Sequence, residues 1–128
     1  MTRLGDLERA VMEMLWTMSS ESPGATFTAR DVSATLPNHA YTTVLTVLDR
    51  LGRKGLVDRI RDGKAHHYRP TGSRESYTAE VMHEALATTS DRKAALVYFA
   101  QTVSAEELMV LRDALVHREE PRRKGSAS

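Results

Sequence analysis

A chain of 128 residues with 41% hydrophobic and 27% charged side chains has the composition of a folded soluble protein, outside the polar, highly charged range in which chains stay disordered. It contains no cysteine, which excludes disulfides, thiolate metal centres and a cysteine nucleophile and agrees with a reducing compartment. The net charge of +1 conceals an asymmetry: from Asn38 to Pro70 seven bases face three acids, a net +4, whereas from Ser73 to Arg118 five bases face seven acids, a net −2.

Glu8, Arg9 and Glu13 punctuate the N-terminal apolar residues, so neither a signal-peptide core nor a membrane span is expected there, and the protein reads as cytoplasmic. Leu7, Val11, Met14 and Leu15 fall at i, i+4, i+7 and i+8, which predicts an amphipathic helix from about Gly5 to Met18 with Trp16 anchoring its end. The turn-forming run Ser19 to Gly24 separates it from a short second helix that Thr28 caps, that carries Val32 and Leu36, and that stops at Pro37. A third helix, from about Tyr41 to Lys54, holds Val44, Val47, Leu48 and Leu51 in one stripe and ends at Gly55, a residue suited to the left-handed C′ position. Leu56–Arg61 and Ala65–Arg69 then flank Asp62-Gly63-Lys64, and an Asp-Gly step between alternating runs is a hairpin signal. Three helices followed by a β-hairpin wing predict a winged helix-turn-helix over residues 1–72.

Beyond Gly72 the pattern is helical again, with Tyr77, Val81 and Ala85 at steps of four. Asp91 is placed to cap a helix holding Ala95, Leu96, Phe99 and Ala100, and Ser104-Ala105-Glu106-Glu107 is a capping box opening a last helix with Leu108, Leu111 and Leu115 in line. The fold class is therefore mainly α. Roughly 46 residues, 73–118, are too few to bury a good core alone, since even a domain of about 60 residues hides only about 60% of its unfolded surface. A second copy would supply the missing cover, so this segment reads as an α-helical dimerisation domain with Tyr77, Val81, Leu96, Phe99, Leu108, Leu111 and Leu115 in a homodimer interface. Residues 119–128, in which Pro121 ends the last helix, read as a flexible tail.

Thr42, Thr43, Thr46 and Arg50 lie opposite the apolar stripe of the third helix. A merely solvated face is the plainer account for an isolated helix, but threonines lose side-chain freedom there, whereas their hydroxyls and methyls suit phosphates and the thymine methyl of a major groove. Arg50 suits a guanine edge or a phosphate. Arg61 and Lys64, with Arg59 and Arg69, place positive charge on the wing, where it serves the sugar-phosphate backbone of double-stranded DNA and also blocks strand-to-strand aggregation. His66 and His67, adjacent in a strand, point to opposite faces and cannot chelate one metal, so one is expected to pack and the other to be exposed. His39, His83 and His117 have no partners at ligand spacing, and the chain has no Gly-rich phosphate loop, nucleophile elbow or paired-carboxylate arrangement. No enzyme, metal or cofactor is expected. The alternative to DNA recognition is a winged-helix protein-interaction module.

Leu7-Glu8-Arg9-Ala10-Val11-Met12-Glu13-Met14-Leu15-Trp16, then Ala40-Tyr41-Thr42-Thr43-Val44 and Arg50-Leu51-Gly52-Arg53-Lys54-Gly55-Leu56-Val57, resemble the BlaI/MecI family of penicillinase repressors. The resemblance is strongest from Leu7 to Tyr68 and continues through Ala95-Leu96-Val97-Tyr98-Phe99. It implies a homodimeric repressor on a palindromic operator, released by cleavage when a membrane-bound sensor protease system detects a β-lactam, with Thr43, Thr46 and Arg50 at operator-contacting positions. The family's cleavage bond maps to Tyr98-Phe99, where well-known members carry asparagine before the phenylalanine. Copper-responsive relatives with a cysteine-rich C-terminal motif are excluded by the absence of cysteine.

Overall fold

In the computed structural model, which describes residues 4–119, α1 runs Asp6–Glu21, β1 Phe27–Thr28, α2 Ala29–Ala34, α3 Tyr41–Arg53, β2 Val57–Asp62, β3 Ala65–Pro70, α4 Arg74–Ala87, α5 Arg92–Thr102 and α6 Ala105–Glu119. The helix termini follow from local chemistry. Thr28 Oγ1 accepts from the Asp31 amide at 3.1 Å while the Asp31 carboxylate accepts from the Thr28 amide at 2.9 Å, so two otherwise unpaired donors at the start of α2 are satisfied. Gly55, at φ +80°, takes the left-handed turn that ends α3, as its position after the helical run predicts. Asp91 caps α5 through the Ala94 amide at 3.0 Å, and Ser104 and Glu107 form the expected reciprocal box at α6.

The wing is the predicted hairpin, with Asp62 opposite Ala65 and Ile60 opposite His67. Its two-residue loop is Gly63-Lys64, and only Gly63 has a positive φ (+64°), the pattern of a type II′ turn whose twist matches the flanking strands. The sequence does not announce β1. Its two residues pair antiparallel with β3, Phe27 opposite Tyr68, giving the sheet order β1-β3-β2. A strand this short leaves no periodic signature. His66 and His67 are both half-buried, correcting the expectation of one packed and one exposed: β1 covers part of the His67 side of β3, where Thr26 Oγ1 lies 3.2 Å from His67 Nδ1.

The described residues form two compact units dividing between Ala85 and Leu86, inside α4. In the first, Val11, Met12 and Leu15 of α1, Val32 of α2 and Val44, Leu48 and Leu51 of α3 are sealed from solvent, with Leu56, Val57 and Tyr68 of the wing closing over them. The buried stripe of α1 is thus Glu8, Val11, Met12, Leu15 and Trp16, while Leu7 and Met14, chosen from the sequence pattern, are only half-buried. Trp16 donates its indole N–H to the Gly72 carbonyl at 3.2 Å, and the Tyr77 ring packs on it at a centroid distance of 5.4 Å. Arg74 lies over the same indole and pairs with Glu13 at 2.8 Å. Tyr77, which the spacing assigns to a dimer interface, is buried in the first unit of its own chain: Trp16 needed cover, and the first turn of α4 provides it. Val81 is half-buried against the same core.

In the second unit no residue of α5 is buried, and the α6 side chains from Ala105 to Arg118 are all exposed. Thr102 Oγ1 donates to the Tyr98 carbonyl at 3.0 Å, tightening the end of α5. No described helix is long and apolar enough to cross a membrane. Of the expected tail, Glu119 closes α6, and residues 120–128 lie outside the described residues.

Trp16 is the only tryptophan, and it lies in the first unit's core, so its fluorescence reports unfolding of that unit. Leu48→Ala is expected to lower the unfolding free energy by about 2–5 kcal/mol, seen by this probe as a lower urea midpoint at unchanged slope.

Candidate nucleic-acid interface

Packing fixes which side of α3 faces water. With Val44, Val47, Leu48 and Leu51 turned inward, Thr42, Thr43, Thr46 and Arg50 are all exposed, as the sequence pattern predicts. The Thr46 hydroxyl donates to the Thr42 carbonyl at 2.9 Å, so its hydrogen is occupied and it offers outward a methyl group and acceptor lone pairs. That chemistry suits a thymine methyl or an exocyclic amino group. The three threonines and Arg50 border an open groove of about 490 Å³ whose opposite wall is Gly5, Leu7 and Glu8 at the start of α1.

At the head of α3, the Arg30 guanidinium of α2 lies 5.0 Å from the Tyr41 ring centroid, clasping the two helices of the helix-turn-helix. On the wing, Arg59 approaches Asp49 at 3.6 Å and Arg69 approaches Asp58 at 3.5 Å. Arg53 also holds Asp49. The Arg53 hydrogen bond is the main reason the Asp49 carboxyl is held below its ordinary range, with the charges of Arg53 and Arg59 adding to it against a small desolvation effect. Arg61 donates Nε to the Gly63 carbonyl at 3.1 Å, bracing the wing tip, and Lys64 stands exposed at that tip. Among the described residues neither Arg61 nor Lys64 has an acidic partner. The wing's uncommitted positive charge therefore sits at its end.

Glu8 is the one charged residue buried among those described, and sequence reasoning passed over it. Its Oε1 accepts from the Gly5 amide at 2.9 Å and from Lys54 Nζ at 2.8 Å, joining the start of α1 to the end of α3. Oε2 is buried with no hydrogen bond among the described residues, and Arg50 Nη1 is 3.9 Å from it. The signal was present: Glu8, Val11, Met12 and Leu15 fall at i, i+3, i+4 and i+7, so a carboxylate stands on the apolar stripe. Arg30, by contrast, gives no periodic or motif signal.

A helix-turn-helix with an outward polar recognition helix and a basic-tipped wing is the DNA-binding unit of a winged-helix transcriptional regulator. The comparisons agree: the penicillinase repressor family matches residues 4–117. The transcriptional regulator BlaI of Mycobacterium tuberculosis, in strains H37Rv and CDC 1551, is 46% identical over 122 residues, covering 93% of this chain and 87% of the relative. The chain belongs to the penicillinase repressor family, whose members are DNA-binding transcriptional repressors and not enzymes. Among solved structures, a MarR family protein from Bacillus stearothermophilus matches at TM-score 0.45 and 23% identity, covering 91% of this chain and 74% of that one. An ArsR-like transcriptional regulator from Rhodococcus matches at TM-score 0.42 and 23% identity, covering 77% and 94%.

Burial pushes the Glu8 carboxyl up, but the Lys54 and Gly5 hydrogen bonds and the charges of Lys54 and Arg50 outweigh it, so its pKa lies below the ordinary 4.5. A depressed folded-state pKa adds stability that is complete above the ordinary value and lost as pH falls through the folded one. The stability gap between wild type and Glu8→Gln is therefore expected to be widest above about pH 4.5 and to narrow in more acid solution, measured by thermal unfolding between pH 7 and 3.

Proposed function

We propose that this chain represses transcription as a homodimer on a palindromic operator and that proteolysis in the second unit relieves the repression. The observation that carries this is the exposure of α5 and α6. Leu96, Phe99, Leu108, Leu111 and Leu115 are each 42–54% accessible in the single chain, alongside Tyr98 and Val110 at 69% and 67%. Two helices with so much open apolar surface need a partner, and a second copy is the partner that also yields two reading heads for a two-fold operator. Residues 86–118 thus serve dimerisation, and the first unit serves recognition.

In each half-site Thr42, Thr43, Thr46 and Arg50 enter the major groove, and Arg61 and Lys64 follow the adjacent phosphates. Relief follows from where the family's cleavage bond maps. Cutting between Tyr98 and Phe99 separates Leu108, Leu111 and Leu115 from the recognition unit, dissolving the interface that holds two heads on one operator. A membrane-bound sensor protease system responding to a β-lactam is the trigger that fits this family membership.

If each dimer contacts about 6 to 10 phosphates, operator affinity is expected to fall by roughly 10³ to 10⁵ between 50 and 200 mM salt. A flat salt response in a mobility-shift titration contradicts the DNA reading, and a stable protein partner found in its place turns the unit into a protein-interaction module. Leu111→Asp is expected to give monomers in analytical ultracentrifugation with much weaker operator binding, and an unchanged dimer overturns the interface.

A further inference from the structure

We propose that Glu8 is a positioning residue for base recognition: its Oε2 oxygen engages one edge of the Arg50 guanidinium and so presents the other edge to a guanine in the operator. The proposal rests on the operator reading above, and four observations support it. Glu8 lies in the wall of the groove that Thr43, Thr46 and Arg50 line, so it faces the surface where bases would enter. It is 5% exposed and fixed through Oε1 by the Gly5 amide and Lys54, so it cannot swing away. Oε2 is buried without a hydrogen bond among the described residues, and a buried acceptor left unpaired is costly unless a donor reaches it at some stage of function. Arg50 Nη1 lies 3.9 Å from Oε2, on a side chain that is 54% exposed and free to shorten that gap.

Arginine suits this double role because its guanidinium carries five donors in a planar fork. One edge held by a carboxylate orients the plane and leaves the opposite edge for the O6 and N7 acceptors of guanine. Lys54 completes the arrangement. By pairing with Oε1 at 2.8 Å it offsets the buried negative charge, so an anion beside the reading face does not repel phosphate.

The test is selection from randomised duplexes with the full-length wild type, Arg50→Ala and Glu8→Gln, followed by affinity measurements on the selected site and on unrelated duplex. Wild type is expected to show a guanine preference in each half-site that Arg50→Ala abolishes. Glu8→Gln is expected to weaken that same preference by about tenfold or more while leaving affinity for unrelated duplex equal or raised. Glu8→Gln added to Arg50→Ala is expected to change nothing further, since the two act as one unit. Preservation of the guanine preference in Glu8→Gln overturns the proposal, as does a parallel loss of specific and unspecific affinity, the mark of a purely structural residue. Wild type without any sequence preference defeats the operator reading itself, a result distinct from either. Should Glu8→Gln not fold, Glu8→Asp keeps the charge but withdraws it by one methylene. Weakening at the same base supports the assignment, and an unchanged preference overturns it.

Discussion

The roll of α3 about its own axis is the constraint on which the molecule's function depends. A helix has one direction in which Val44, Val47, Leu48 and Leu51 all leave water at once, and α1 and α2 supply the surface that receives them. Once that side is buried, the threonines and Arg50 have no option but to face outward. The wing contributes to the same outcome, since Leu56, Val57 and Tyr68 complete the core beneath α3 and carry the hairpin to its flank. Recognition chemistry is thus set by hydrophobic packing on the opposite side of the same helix.

Charge is distributed more selectively than the +4 of the recognition segment suggests. Arg53 and Arg59 share Asp49, Arg69 faces Asp58 and Lys54 is bound to Glu8, so several of the bases are held by acids of the protein. Among the described residues what stands clear of an acid is narrower: the wing tip, with Arg50 on the helix only loosely facing Glu8 at 3.9 Å. Pairing of this kind keeps flexible side chains oriented, and a phosphate competing for Arg59 or Arg69 has to displace an existing carboxylate contact that is itself exposed and weak. On the proposed operator contacts, phosphate therefore meets the least competition at the wing's end.

Much of this fold was legible because its signals are local and strong. Helical periodicity located all six helices of the described residues, cap residues such as Thr28, Asp91 and Ser104 marked their starts, and the Asp-Gly step placed the hairpin. Three features escaped for physical reasons. Two-residue β1 is created by pairing with β3, not by its own pattern. Tyr77 carries an apolar spacing consistent with any interface, and only the proximity of Trp16, distant in sequence, decides that it packs within its own chain. Glu8 looks like an ordinary first-turn acid, and its burial follows from Lys54, a residue 46 positions away that gives it a counter-charge. The outward side of α3 was readable since one helix's own periodicity defines it; the groove beside it needed two helices and was not.

The end of α5 bears on the proposed proteolytic relief. The Tyr98 carbonyl belongs to the Tyr98–Phe99 peptide bond and is held by the Thr102 hydroxyl inside a regular helix, whereas a protease must take its substrate extended. On that proposal the last turns of α5 have to fray before any cut, which ties the pace of induction to how often that helix opens and how long it stays open. On the same proposal the Thr102 hydroxyl, by holding that carbonyl, acts as a timing element between a signal and the release of the promoter.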